Sequence, residues 1–214
     1  MLAITNEDNM RLMSRYPDGY FDLAICDPPY GLGRHKPIGN GDKRATGVAR
    51  NKVWIGGEWD DNRPTKKYFT ELQRVSKNQI VWGGNYFADL LPQSNKWLIW
   101  DKMQRVDQSD CELAWTSFDG ALRVFSYHCS KLQGFMNPNR FHPTEKPVPL
   151  YEWLLQNYAT KGDKILDTHL GSGSIAIACH NMGFSLTACE LDTEYFEAAT
   201  KRIKQHQSQT RMFV

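Results

Sequence analysis

Four consecutive residues, Asp27-Pro28-Pro29-Tyr30, stand directly after the apolar run Phe21–Cys26. Their types suit one demanding task, the activation of an exocyclic amine on a nucleic-acid base. Such an amine is a poor nucleophile because its lone pair is delocalised into the ring. Two acceptors gripping its N–H groups would draw the nitrogen toward tetrahedral geometry and return the lone pair to it. Asp27 offers a carboxylate and Pro28 a backbone carbonyl. The two prolines stiffen the turn, so both acceptors are in place before a base arrives. Tyr30 offers a flat face to a base taken out of its stack. The same four residues would equally make an ordinary proline turn with Tyr30 packed on the surface.

A second constellation, Asp167-Thr168-His169-Leu170-Gly171-Ser172-Gly173-Ser174, follows the expected strand Lys164–Asp167 and opens the expected helix after it. A Gly-rich strand-to-helix turn lets backbone approach a cofactor closely and presents helix N–H groups to it. Glu190 ends the next apolar run, about twenty residues further on, where an acid can hold two ribose hydroxyls. A tight structural turn is the plainer alternative. Together, a cofactor turn and an amine-gripping turn at two strand ends are what a methyl transfer requires, because both would sit at the carboxyl edge of one sheet.

The elements that must position these turns read as an α/β sheet protein. Expected strands are Leu2–Thr5, Phe21–Cys26, Gln79–Trp82, Trp97–Trp100, Glu112–Thr116, Leu122–Tyr127, Lys164–Asp167 and Ser185–Cys189. Expected helices are Asn9–Tyr16, Lys66–Lys77, Val148–Ala159, Ser174–Met182 and Thr193–His206. Gly183 should stop the fourth of these. In the last, Tyr195, Phe196, Ala199 and Ile203 share one face. The closely spaced strands before the C-terminal half have no helix between Glu112–Thr116 and Leu122–Tyr127. They are expected to form an antiparallel hairpin closing one edge of a mixed sheet.

With 214 residues the chain suits a single domain, 1–214, and its 41% apolar content is that of a globular protein. A net charge of +2 requires any nucleic-acid surface to be made by grouping of basic residues. The five scattered Cys contain no C-x-x-C pair, which argues against a disulfide framework and a zinc site. The first residues show no basic region followed by an apolar run, and no apolar stretch is long enough to span a bilayer, so a cytoplasmic protein is expected.

On Asp27–Tyr30, Asp167–Ser174, His142-Pro143-Thr144-Glu145-Lys146-Pro147 and Trp82-Gly83-Gly84-Asn85-Tyr86-Phe87, the chain resembles the DNA amino-methyltransferases that modify N6 of adenine or N4 of cytosine. It is similar to the permuted subgroup, in which the catalytic motif precedes the cofactor motif, and to its phage-type members. The resemblance implies a Rossmann-like sheet, S-adenosylmethionine as donor, no metal, DNA as partner and a homodimer. It places Leu2–Thr5 beside the strand ending at Glu190. Asp8 then matches the acid that reads the amino group of the cofactor adenine, or else caps the helix Asn9–Tyr16. Thr144 and Lys146 match positions near the methionine end of the cofactor. Two departures stand out: Thr168-His169 where the family usually has Pro-Phe, and Glu145 where Gln is commoner. Asp rather than Ser at the head of the catalytic motif favours adenine. N4-cytosine, an RNA base, or a catalytically silent DNA-binding subunit are the alternatives.

Two segments are expected to meet the polynucleotide. Gly31–Pro64, without periodicity, is expected to be a mobile basic loop, carrying Arg34, Lys36, Lys43, Arg44, Arg50 and Lys52. Lys43, Arg44, Arg50 and Lys52 are the expected phosphate contacts, unless the loop is simply solvated. A short recognition segment, 129–141, carries Lys131 and Arg140, with Gln133, Asn137 and Asn139 as base readers. Its brevity predicts a short or relaxed target sequence.

Overall fold

The computed structural model describes residues 1–32, 62–104, 109–128, 142 and 144–209. In chain order the elements are β1 (Leu2–Asn6), α1 (Asn9–Met13), β2 (Phe21–Cys26), α2 (Lys66–Val75), β3 (Ser76–Trp82), β4 (Trp97–Asp101), β5 (Cys111–Thr116), β6 (Arg123–Ser126), α3 (Val148–Tyr158), β7 (Lys164–Asp167), α4 (Ser174–Met182), β8 (Ser185–Glu190) and α5 (Thr193–Ser208). One eight-stranded sheet runs in the order β1-β8-β7-β2-β3-β5-β4-β6. Its left side, β1 to β3, is parallel throughout. β5 runs antiparallel to both of its neighbours, β3 and β4. The sheet is therefore mixed, as expected.

Parallel strands covered on both faces should carry continuous apolar runs, and β2 and β3 do in their carboxyl halves, Leu23–Cys26 and Ile80–Trp82. Leu23, Ile25, Ile80 and Trp82 enter one core with α3, α4 and α5. Ala24, Cys26 and Val81 enter a second core with α1 and α2. α4 is buried from Ser174 through Cys179, which needs apolar or small residues all round. Complete burial of Leu150 and Leu154 on α3 contributes about 2 kcal/mol each. Gly183 ends α4 in the left-handed conformation, φ 77°, as the sequence predicts. On α5, Tyr195, Ala199 and Ile203 are buried.

Three expectations need correction. The antiparallel hairpin consists of β4 and β5, and β6 does not pair with β5. β4 lies between them, and β6 pairs with β4 in parallel, Leu98 opposite Arg123. α1 ends at Met13 because the chain tightens there into i→i−3 bonds, from Arg15 N to Leu12 O and from Tyr16 N to Met13 O. α2 stops at Val75, and β3 starts at once with Ser76, whose backbone is extended (φ −127°, ψ 142°). The Ser76 hydroxyl donates to Leu72 O, and Ser76 pairs with Phe21. No loop separates helix from strand. Most of Gly31–Pro64 and all of 129–141 lie outside the described residues.

Candidate functional site

β2 and β7 are neighbouring parallel strands, with Ala24 opposite Leu166. Their carboxyl ends therefore deliver Asp27-Pro28-Pro29-Tyr30 and Asp167–Ser174 to the same edge of the sheet. The two turns touch, for the Thr168 hydroxyl lies 3.3 Å from Cys26 Sγ. The segment leading into α3 bridges them. His142 packs on Gly171, where an added Cβ would come 3.4 Å from His142 Nε2. Lys146, four residues on, donates from Nζ to Asp27 Oδ2.

Asp27 is held on both oxygens. Oδ1 accepts the Tyr30 hydroxyl at 2.7 Å, and Oδ2 takes the Lys146 ammonium. Burial pushes the Asp27 carboxyl above its ordinary value, against the pull of Lys146. Lys146 is 1% exposed and also lies 3.1 Å from Glu112 Oε2 on β5. Lys102, just past β4, meets the other Glu112 oxygen at 2.8 Å. Burial alone would raise the Glu112 carboxyl, but these two ammonium groups outweigh it and hold it at about 2. Neither Glu112 nor Lys102 stood out in the sequence. Lys146 was expected at the cofactor, and its contacts put it on the catalytic motif.

The Trp82–Phe87 stretch has a spatial explanation. Gly83 has φ 70°, and a Cβ there would lie 2.1 Å from Tyr30 Cε1. A Cβ at Gly84 would lie 2.6 Å from Trp115 Cβ. Gly83 thus lets the Tyr30 ring lie directly on the backbone after β3, and Gly84 lets Trp115 of β5 approach the same backbone. Tyr86 then stacks on Tyr30 with centroids 4.9 Å apart and planes 19° apart.

On the other turn, Glu190 Oε2 accepts Gly171 N at 2.8 Å and Oε1 accepts Asp192 N at 3.0 Å. Burial raises its carboxyl. Gly171 and Gly173 have φ of 52° and 77°, and a Cβ at Gly173 would press on Ile203 of α5 at 3.0 Å. Arg202 of α5 donates to Ser172 O at 2.9 Å and pairs with Glu145 at 2.9 Å. That pairing suits Glu, rather than Gln, at position 145. Asp8 caps α1, accepting from Met10 N and Arg11 N. It is exposed at the end of β1, beside Glu190 through the pairing of Asn6 with Glu190. Thr144 sits 3.3 Å from His142 Nδ1.

His169 replaces an aromatic by joining a polar chain. Its Nε2 lies 3.1 Å from Asn9 Nδ2 and its Nδ1 lies 2.9 Å from Thr168 Oγ1, which in turn meets the Tyr68 hydroxyl at 2.7 Å. Burial drops the imidazole to about 3, so it stays neutral. Asp167, 2% exposed, accepts His169 N at 3.0 Å. Burial pushes its carboxyl up to about 8, against that hydrogen bond. A cleft of about 540 Å³ lies at the opposite end of the strands, between the start of β3 and the end of β5, and none of these residues lines it. Among the described residues, no group of His, Cys, Asp and Glu could hold a metal. No helix there is long and apolar enough to cross a membrane. Lys43, Arg44, Arg50, Lys52, Lys131 and Arg140 fall outside the described residues.

The chain is 23% identical to the type II methyltransferase M.HpaI of Haemophilus parainfluenzae, over 91% of this chain and 71% of that one. In fold it is similar to the PvuII DNA methyltransferase, described as cytosine-N4-specific (TM-score 0.65, 13% identity, 100% of this chain and 88% of that one). It is also similar to M1.HpyAVI in complex with S-adenosylmethionine (TM-score 0.59, 17% identity, 94% and 100%). The N6/N4 methyltransferase family model, described as DNA methylase, matches residues 81–201, more than half of the sequence, and the protein belongs to that DNA methylase family.

Proposed function

We propose that the protein moves a methyl group from S-adenosylmethionine to N6 of adenine in DNA, after the base has left its stack. The observation that carries this reading is the meeting of the Asp27 and Gly171 turns at one sheet edge, bridged by His142 and Lys146. The residues present fit the cofactor. Glu190 supplies a carboxylate for hydroxyl groups beside a turn whose glycines leave the backbone open, and Asp8 stands at the adjacent strand end. S-adenosylmethionine brings a methyl group on a positively charged sulfur, which departs with the bond pair as a neutral thioether.

The chain's own residues then have to align and activate. A carboxylate has about four lone-pair sites, so Asp27 can accept an amine N–H while it keeps Tyr30 and Lys146. The Pro28 carbonyl takes the second N–H, and Pro28 and Pro29 fix both acceptors. Tyr30, anchored by its hydroxyl to Asp27 and packed on Gly83, offers its ring for stacking. In-line attack then depends mainly on alignment. Lys43, Arg44, Arg50, Lys52, Lys131 and Arg140 are proposed to grip phosphates, in a permuted, phage-type cytoplasmic enzyme with a short or relaxed target, as a homodimer. N4 of cytosine is the second reading, favoured by the fold likeness to the PvuII enzyme.

Incubation with tritiated S-adenosylmethionine and DNA, followed by nucleoside analysis, tests the proposal. Label in N6-methyl-2′-deoxyadenosine supports it, and label in N4-methyl-2′-deoxycytidine selects the second reading. Absence of transfer to DNA overturns both. Asp27→Ala should abolish transfer while cofactor binding largely survives. A variant with near-normal turnover refutes the role of Asp27.

A further inference from the structure

Four charges alternate through the site: Lys102, Glu112, Lys146 and Asp27. Their side chains are 13%, 21%, 1% and 17% exposed. Burying a charge demands a partner, but Lys146 and Asp27 already satisfy each other. A second, somewhat more exposed pair adds little to stability, because even buried ion pairs are often replaceable by apolar residues without loss. Its presence therefore calls for a reason beyond folding.

The reason lies in how Lys146 is shared. The ammonium sits closer to Asp27 than to Glu112, and held by Asp27 alone it would weaken that carboxylate further as an acceptor for anything else. Glu112 draws on it from the other side, at 3.1 Å. We propose that Glu112, fixed by Lys102, is a positioning residue for methyl transfer: it divides Lys146 between two carboxylates, so that Asp27 stays available to the incoming amine. This rests on the role proposed for Asp27.

The support is rigid. Glu112 is on β5, cross-strand from Trp100. Lys102 is pinned where the hairpin begins, its backbone N donating to Asp110 O at 2.9 Å, and its ammonium lies 5.5 Å over the Trp100 ring. Sites carried on strands hold geometry better than sites on loops.

The titratable groups facing Asp27 come from several elements. Lys146 precedes α3, Tyr151 is on α3, Glu112 is on β5, Asp167 ends β7, and Tyr30 belongs to the same turn. Two substitutions move this field in opposite directions. Glu112→Gln removes a like charge and leaves Lys146 to Asp27 alone. Lys102→Met frees Glu112 to draw Lys146 away.

The test measures kcat against pH for the full chain with DNA and S-adenosylmethionine, with cofactor affinity from calorimetry and melting curves as controls. In E112Q the plateau of kcat should fall on the order of tenfold, and its acid limb should move about one unit to lower pH. In K102M the acid limb should move to higher pH. KM for DNA and cofactor affinity should change little, and Glu112→Asp should recover part of the rate. Should E112Q fail to fold, E112D and K102M carry the comparison. An unchanged plateau and acid limb in E112Q, or acid limbs moving the same way in both variants, overturns this inference alone. A wild-type chain that transfers no methyl group overturns the functional reading as well.

Discussion

Replacing Gly83 by Ala tests the site through steric exclusion alone. The position has φ 70°, which costs an alanine about 1 kcal/mol. The added Cβ would stand 2.1 Å from Tyr30 Cε1, so the ring must withdraw by about 1.3 Å to reach the 3.4 Å at which ordinary contact begins. A ring displaced that far cannot keep its 2.7 Å hydrogen bond to Asp27. Loss of a bond to a charged acceptor adds about 2 kcal/mol. The total of about 3 kcal/mol should lower the melting temperature by about 6–12 °C. A 1 Å misplacement in a site costs about 100-fold in rate, so kcat should fall by that order while cofactor affinity stays within about twofold. Gly162→Ala is the control. Gly162 has φ 100° and nothing within 4 Å of an added Cβ, so it carries the backbone cost without the clash. Melting curves, calorimetry with S-adenosylmethionine and tritium transfer to DNA report the three quantities. A G83A protein with kcat within about threefold of wild type and an unshifted melting point would sink the reasoning.

Two further substitutions address the cofactor half. Burial holds Asp167 at about 8, against an ordinary 3.8. Between those values the unfolded chain ionises while the fold retains the proton. Stability should therefore decline as pH rises from about 4 to about 8, by up to about 1.4 kcal/mol per unit. Asp167→Asn should flatten that slope and melt higher than wild type at pH 8 without cofactor; equal slopes in melts at pH 5 and pH 8 would count against it. Arg202→Met removes the partner of Glu145, whose side chain is 2% exposed. It should destabilise the fold by about 2 kcal/mol, and Glu145→Gln in the same chain should restore most of the loss in denaturant unfolding. Additive single effects would show that the pair is not coupled.

The inner strands were legible because burial on both faces leaves short apolar segments, as in Leu23–Cys26 and Ile165-Leu166. The motif turns were legible because they follow those runs directly. The order of β4, β5 and β6 was not, since closely spaced strands can pair in several ways and only tertiary contacts choose among them. Side-chain partners were hidden by distance along the chain. Lys146 and Asp27 are 119 positions apart, and no local pattern announces such a pair. Glu112 looked like the polar end of a strand. Thr168-His169 read as a departure, and its compensation by Asn9 and Tyr68 appears only when α1 and α2 are folded against the turn. Asp8 was open between two roles, and its capping role is seen.

The pairing of β1 with β8 has a consequence for the history of the molecule. Leu2 lies opposite Leu186, so two segments far apart along the chain must meet. Contacts between such remote segments form slowly, since a large loop must close before they repay its entropy. Asp8 and Glu190 come to neighbouring strand ends only through that closure, whereas β2 and β3 need a far shorter one. During refolding from denaturant, the turn at Asp27 should thus become ordered before the edge formed by Asp8 and Glu190 exists.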